Sequence, residues 1–226
     1  MGAEGYEALP LPDRVELAPD ETLAAAERFR AAMARRHSVR MFDPRPVARA
    51  VVETCIAVAA GAPSGANRQP WHFVAVQDPA LKARIREGAE AEERAFYAGG
   101  GGDAWLAALE PLGTGAEKPH LTDAPWLIVV FAERHGTAPD GRRVKNYYVP
   151  ESVGIATGFL IAAIHHAGLV TLPHTPNPMG FLGPLLGRPA AEKAMFILPV
   201  GWPAAGATVP KAAKRKKPLS EVMTLL

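Results

Sequence analysis

Apolar residues fall along this chain in short blocks bounded by glycine, proline or polar clusters, and the period within the blocks changes from helical to extended. Residues 1–18 carry Pro, Glu and Leu without a period and read as an extended arm. The run 21–36, preceded by Asp20, is rich in Ala, Leu, Arg and Glu, with acids near its start and arginines at its end, and predicts a helix. A polar turn at 37–40 and a short segment 41–43 follow, and Pro46 is expected to open a second helix over 47–60. Segment 71–77, Trp-His-Phe-Val-Ala-Val-Gln, reads as a strand; Asp78-Pro79 then starts a helix with Leu81, Ile85 and Ala89 at helical spacing. Four consecutive glycines, Gly99 to Gly102, form the most permissive stretch, and the segment from there to Asp123 reads as a loosely helical cover. Beyond it, strand 126–132, the nearly all-apolar helix 152–167, a short strand 169–172, a short helix 180–187 and strand 194–201 are expected. The tail from Lys214 is basic, then amphipathic.

Strands separated by helices give an α/β reading, with alternation too irregular for a regular doubly wound sheet. No stretch between the blocks has linker composition, so residues 1–226 are expected to form a single domain. The chain is 48% hydrophobic and 21% charged, ordinary values for a globular protein. Its 25 basic and 23 acidic residues leave a net charge of +2, which is no nucleic-acid footprint despite a local cluster at 211–217. The single cysteine, Cys55, cannot form an intramolecular disulfide, which fits a reducing compartment. No secretory leader is visible at the N-terminus, and the longest apolar stretch, 153–170, is broken by three glycines and two histidines. The expectation is a soluble, cytoplasmic protein with neither nucleic acid nor membrane as a partner.

Several polar clusters could carry chemistry. The loop 62–71 sets Ser64, Asn67, Arg68 and Gln69 among two prolines and a glycine; it is either a plain helix-to-strand connection or a ligand loop. Arg36, His37, Ser38 and Arg40 follow the first helix and suit either a helix C-terminus or a phosphate contact. In Pro173-His174-Thr175-Pro176 the flanking prolines hold the backbone extended, which serves a strand end as well as a rigidly posed hydroxyl. Glu93 and Tyr97 are four apart on one helix face, and Lys118 follows 21 residues on; an acid, a phenol and an ammonium group together suit an amino-acid zwitterion. His165 and His166 are adjacent and point to different sides of a helix, so no metal site is expected. Cys55 sits on an apolar face and reads as a buried small hydrophobe, and no Rossmann or Walker pattern is present.

Read together, these segments resemble a known family. The pattern Pro63-Ser64-x-x-Asn67-x-Gln69-Pro70-Trp71 is similar to the flavin-contacting segment of the nitroreductase superfamily. Arg36-His37-Ser38-Val39-Arg40 resembles its Arg-Arg-Ser-x-Arg signature for FMN phosphate and ribityl groups, with His37 where the second arginine often stands. Ala207-Thr-Val-Pro210 followed by the basic run resembles the C-terminal phosphate segment of one branch; an additional residue leaves Arg215 or Lys216 as the equivalent, and Arg215 is taken. From Arg36 to Leu219 the chain is similar to the iodotyrosine deiodinase branch, in passages such as Ala62-Pro-Ser-Gly-Ala, Ala167-Gly-Leu-Val-Thr171, Leu186-Gly-Arg-Pro189-Ala and Leu198-Pro-Val-Gly201. In that branch a Glu, a Tyr and a Lys of an active-site lid hold the substrate zwitterion over the flavin, and the spacing lands on Glu93, Tyr97 and Lys118.

The resemblance implies an α+β nitroreductase-like fold, with a mainly antiparallel central sheet flanked by helices and extended termini wrapping a dimer partner. It implies a homodimer with FMN at the interface, bound by Arg36, His37, Ser38, Arg40, Pro173, His174, Thr175 and Arg215, with Pro63, Ser64 and Gly65 reaching it from the second copy. The lid, about 93–120, would hold a halotyrosine or related zwitterionic phenol, and the Ala66 amide its phenolate. Four glycines stand where the branch keeps helix formers, which implies a less ordered lid. The implied activity is FMN-dependent reductive dehalogenation of a halotyrosine, with Thr175 donating to the flavin N5 and an unidentified reductant, NAD(P)H or a reductase. Alternatives are a general NAD(P)H-dependent nitroreductase or quinone reductase, and a non-catalytic flavin- or halotyrosine-binding protein.

Overall fold

The computed structural model describes residues 5–138 and 140–226, in two compact units, Met1–Arg35 and Arg36–Leu226. In the first unit residues 5–18 form neither helix nor strand, and residues 1–4 of the expected arm lie outside the described part. Helix α1, Pro19–Ala34, begins earlier than the Asp20 signal predicts. Pro19 occupies the first turn, where a missing N–H costs nothing, and the Glu21 carboxylate accepts the Ala18 N–H at 3.2 Å. No residue of α1 is buried, and Leu23 and Phe29 are exposed.

The second unit is organised by a five-stranded sheet. Its strands are β1 Phe42–Asp43, β2 Trp71–Val76, β3 Trp126–Glu133, β6 Val170–Thr171 and β7 Glu192–Pro203, in the order β1-β7-β3-β2 with β6 also on β7. Every named pair is antiparallel. Strand β3 is central, running with Trp71 opposite Ala132 on one side and Trp126 opposite Val200 on the other. Its apolar run is continuous because both faces are covered. Ile128, Val130 and Ala132 face one core with Val52 and Cys55 of α2 (Arg49–Ala60) and Leu160 and Ile164 of α6 (Val149–His166). Leu127, Val129 and Phe131 face the other, with Ile85 and Ala89 of α3 (Pro79–Ala95), Leu121 of α5 (His120–Asp123) and Leu182 of α7 (Leu182–Leu185). The two-residue side-chain period of one strand thus divides the interior into two cores.

Two helix starts differ from expectation, and one hairpin was not expected. Helix α2 starts at Arg49, not at Pro46, because Val47 is buried in extended chain and its carbonyl accepts the Trp126 indole N–H at 2.9 Å. Helix α6 starts three residues early, from a left-handed Tyr148 (φ 48°, ψ 44°), with Pro150 in its first turn. The hairpin of β4 (His135–Thr137) and β5 (Arg143–Lys145) carries no alternation of apolar and polar residues and had no sequence signal. Asp78 caps α3 as expected, its carboxylate accepting the Leu81 N–H at 2.7 Å.

The expected loose cover is wound more tightly than its glycines imply. Phe96–Gly100 is a π-helical turn, and α4 (Asp103–Leu109) and a 3-10 turn (Glu110–Leu112) follow it. Gly99 and Gly102 take positive φ (121° and 71°), while at Gly101 a Cβ would run into the Phe96 ring. That ring packs edge-on to Tyr97 and Trp105, with centroids 5.3 and 5.0 Å away. The tail ends in a 3-10 turn (Lys211–Lys214) and α8 (Leu219–Val222). No helix among the described residues is long and apolar enough to cross a membrane.

Candidate functional site

The last turns of α3, the cover and the segment after β6 enclose a cavity of about 160 Å³. Glu93, Tyr97, Lys118, Pro173, His174 and Thr175 line it, together with Phe96, Trp105 and Thr114. Six residues singled out in three separate stretches of sequence are thereby brought to one place. Lys118 Nζ lies 3.0 Å from Glu93 Oε2, with 8% and 13% of the two side chains exposed. The ammonium also sits 5.8 Å from the Tyr97 ring centroid, and Tyr97 Oη is 2.6 Å from Thr114 Oγ1.

Lys118 is held at its backbone as well. The Glu90 carboxylate, one turn before Glu93, accepts the Lys118 N–H at 2.7 Å and Arg86 Nε–H at 2.6 Å. Burial opposes the charge on Glu90, but the Lys118 amide and the Arg86 guanidinium outweigh it and keep the carboxyl below its ordinary value. Arg86 also donates to Thr122 Oγ1 at 3.0 Å, and Lys82 Nζ–H donates to the carbonyls of Thr122 (3.1 Å) and Ala124 (2.7 Å), so α3 grips the C-terminal end of α5. Nothing in the sequence flagged Glu90, Arg86 or His120; for Glu90 the three-residue interval to Glu93 was the available signal.

Behind the ion pair lie two buried imidazoles. His120 and His174 are 4% and 6% exposed, their rings meet edge-on at 5.5 Å, and Nε2 of each has no hydrogen-bond partner. Burial, with the nearby charges of Lys118 and Arg40, pushes His120 down to about 4; burial, Lys118, His120 and Arg40 push His174 to about 3, so both are neutral. The His174 backbone is fixed: its N–H and carbonyl exchange hydrogen bonds of 2.9 Å with Ile197 of β7. Arg40 is half-buried and lowered by that burial, with Tyr97 opposing. It lines a second cavity, of about 420 Å³, between Glu110–Leu112 and Thr208, Val209 and Pro210.

The remaining predicted residues form two further groups. Burial and the charges of Lys214, Arg36 and Lys216 lower His37, so the basic tail lies beside the segment after Arg35; from that tail Lys214 and Lys216, not Arg215, act on His37. Ser38 bridges to Thr171 of β6. The loop 62–71 instead packs on the start of α6: Gly65 N–H donates to Ser152 Oγ (3.3 Å), and Arg68 Nε–H to Asn146 Oδ1 (3.0 Å). Ala66 is left-handed (φ 51°, ψ 31°), as are Asn67 and Gln69. Ser64 Oγ accepts the Gln69 N–H at 2.8 Å, which leaves its own proton to donate. None of Pro63, Ser64, Gly65 or Ala66 lines the cavity of Glu93 and Lys118. No group of three or more His, Cys, Asp or Glu able to hold a metal occurs among the described residues.

The nitroreductase family model matches residues 33–202. An iodotyrosine deiodinase of Haliscomenobacter hydrossis is 49% identical over 199 residues, 88% of this chain and 90% of the relative. Iodotyrosine deiodinase 1 of Homo sapiens is 42% identical over 204 residues, 90% of this chain and 70% of the relative. Among solved structures, oxidized iodotyrosine deiodinase bound to FMN and 3-iodo-L-tyrosine aligns with a TM-score of 0.71 and 32% identity, covering 84% of this chain and 94% of that one. The chain belongs to the nitroreductase family, in the branch that contains the iodotyrosine deiodinases.

Proposed function

We propose that the protein is an FMN-dependent enzyme that removes halide reductively from a halogenated tyrosine, giving tyrosine and halide. The observation that carries this reading is the Glu93–Lys118 pair, a carboxylate and an ammonium held 3.0 Å apart in one largely enclosed cavity beneath Tyr97. An amino-acid zwitterion presents the complementary pair. Relatives named iodotyrosine deiodinase and a similar structure containing FMN and 3-iodo-L-tyrosine support it.

The residues present fit FMN. A phosphate needs converging cations, and Arg36, Lys214 and Lys216 lie near enough to His37 to add to the lowering that burial causes first. Thr171 Oγ1 is buried without a hydrogen-bond partner, beside the segment that holds Ser38. In this reading Arg36, His37, Ser38, Arg40 and Lys214 or Lys216 hold phosphate and ribityl groups, with Arg215 the alternative from the same tail. Thr175, which lines the same cavity, would donate its hydroxyl to the flavin at N5. When bound, the flavin supplies the electrons that an aryl halide, resistant to direct displacement, requires. The net change adds two electrons and one proton to the ring carbon and expels halide.

Recognition falls to the chain's own side chains. Glu93 takes the substrate ammonium and Lys118 its carboxylate, while Tyr97 closes the cavity against water. The Ala66 N–H holds the phenolate oxygen and favours the ionised phenol. Because loop 63–66 lies apart from the cavity, we assign it to the site of a second copy, which makes the enzyme a homodimer. Exposed Ile155 and Phe159 on α6, and Val51 and Val58 on α2, support such a contact. A cytoplasmic setting, with Cys55 buried as a free thiol, and NAD(P)H or a reductase as electron donor belong to the same proposal.

The test is an anaerobic assay of dithionite-reduced protein with iodo-, bromo- and chlorotyrosine, following flavin reoxidation and tyrosine formed. Tyrosine should appear in step with reoxidation; none from any of the three would overturn the reading.

A further inference from the structure

Glu93 uses its two carboxylate oxygens differently. Oε2 faces Lys118 Nζ at 3.0 Å, whereas Oε1 faces His174 Nε2 at 3.9 Å, just beyond hydrogen-bond length. His174 Nε2 is buried and has no partner, which is costly for a polar atom and calls for one. The ring cannot retreat: its backbone is bonded both ways to Ile197, and the edge of His120 stands behind it.

A zwitterion that draws Lys118 to its carboxylate removes one donor from a buried Glu93. We propose that His174 is a positioning residue for Glu93, its Nε2–H moving onto Oε1 as Lys118 turns to the ligand, so that the carboxylate stays aimed at the ligand ammonium. The inference rests on the reading that this cavity takes a zwitterionic phenol. The choice of donor has a physical reason. Glu93 and Lys118 sum to zero charge, matching a zwitterion; a second cation in place of His174 would repel the ammonium, while a neutral imidazole donates without doing so. Burial and Lys118 keep the imidazole neutral.

The test compares two ligands on the oxidised FMN-loaded protein, which cannot turn them over: 3-iodo-L-tyrosine and 3-iodotyramine, which lacks only the carboxylate and so leaves Lys118 on Glu93. His174→Leu is expected to weaken the amino acid about tenfold, as loss of a hydrogen bond to a charged group does, and to leave the amine unchanged. His174→Gln, which restores an N–H at similar reach, should recover most of the loss. A readout without substitution is the His174 Nε2–H proton resonance of the wild type, which should move downfield with the amino acid and not with the amine. Equal weakening of both ligands, no weakening, or an unmoved resonance overturns the positioning role. Failure of the wild type to bind the amino acid overturns the substrate class itself, and this inference with it.

Discussion

Glu93 and Lys118 form an ion pair in which neither side chain is more than 13% exposed, so each charge depends on the other for its solvation. A ligand able to replace both partners at once keeps both charges compensated, whereas a ligand carrying one charge strands the other. Glu93→Gln and Lys118→Ala should each lower kcat/KM for a halotyrosine by roughly 100-fold or more, the usual result of truncating one member of a buried pair. Turnover of a neutral nitroarene, which uses neither charge, should stay within about twofold. Steady-state kinetics on both substrate types check this; halotyrosine turnover untouched by either substitution would favour a general nitroreductase indifferent to the zwitterion.

Glu90 is expected to matter for binding and not for chemistry. It accepts the Lys118 amide at 2.7 Å without entering the cavity. Glu90→Ala should raise KM for the amino-acid substrate several-fold with kcat little changed, and destabilise the fold by about 2–3 kcal/mol through the unpartnered Lys118 N–H and the lost ion pair with Arg86. Denaturant unfolding and a KM-against-kcat comparison measure the two effects.

The buried histidines make stability depend on pH. His120 and His174 are pushed to about 4 and about 3 in the folded protein, below the 6.5 of an ordinary imidazole. Over that interval the unfolded chain binds more protons, so their contribution is full above pH 6.5 and is lost as pH falls towards 4 and then 3. Glu90, whose carboxyl is also held below its ordinary value of 4.5, adds a loss at the acid end of the range. Tm should therefore drop on acidification from 6.5, and His120→Phe and His174→Phe should flatten the drop over its upper part.

Gly101 is where the glycine run meets packing. A Cβ there would strike the Phe96 ring, and moving that ring breaks its contacts with Tyr97 and Trp105. Gly101→Ala should raise KM several-fold and shift Trp105 fluorescence. Gly115→Ala, which meets open space in the same segment, should do neither.

At the other loop, a Cβ on Gly65 would lie 2.8 Å from the Tyr147 carbonyl oxygen, a backbone atom that cannot turn away. Gly65→Ala should cost about 1–3 kcal/mol of stability, as overpacking does, and weaken FMN retention, measured by flavin release on dilution.

What the sequence made legible follows from which signals are local. The apolar run of β3, the Asp78-Pro79 start of α3 and the apolar length of α6 each announce themselves within a few residues. The start of α2 did not, because Val47 is claimed by Trp126 from 79 positions away. The Glu93, Tyr97 and Lys118 cluster was legible through the family's spacing, since its three members meet only after the cover folds back. Glu90 and His120 stayed hidden for the complementary reason: an acid on an acidic helix and a lone histidine look like ordinary surface residues until the fold brings Lys118, 28 positions further on, to Glu90.

The hydrogen bond from the Lys118 backbone N–H to the Glu90 carboxylate closes the cover like a drawstring, fixing both ends of the stretch 98–117 on one helix. Closing a loop of this length depends only weakly on how many residues it contains. The stretch can therefore lengthen, shorten or change sequence while the two recognition charges keep their places. The cover becomes an exchangeable cassette: grafting a different one should alter which ring substituents are admitted without rebuilding the grip on the amino acid.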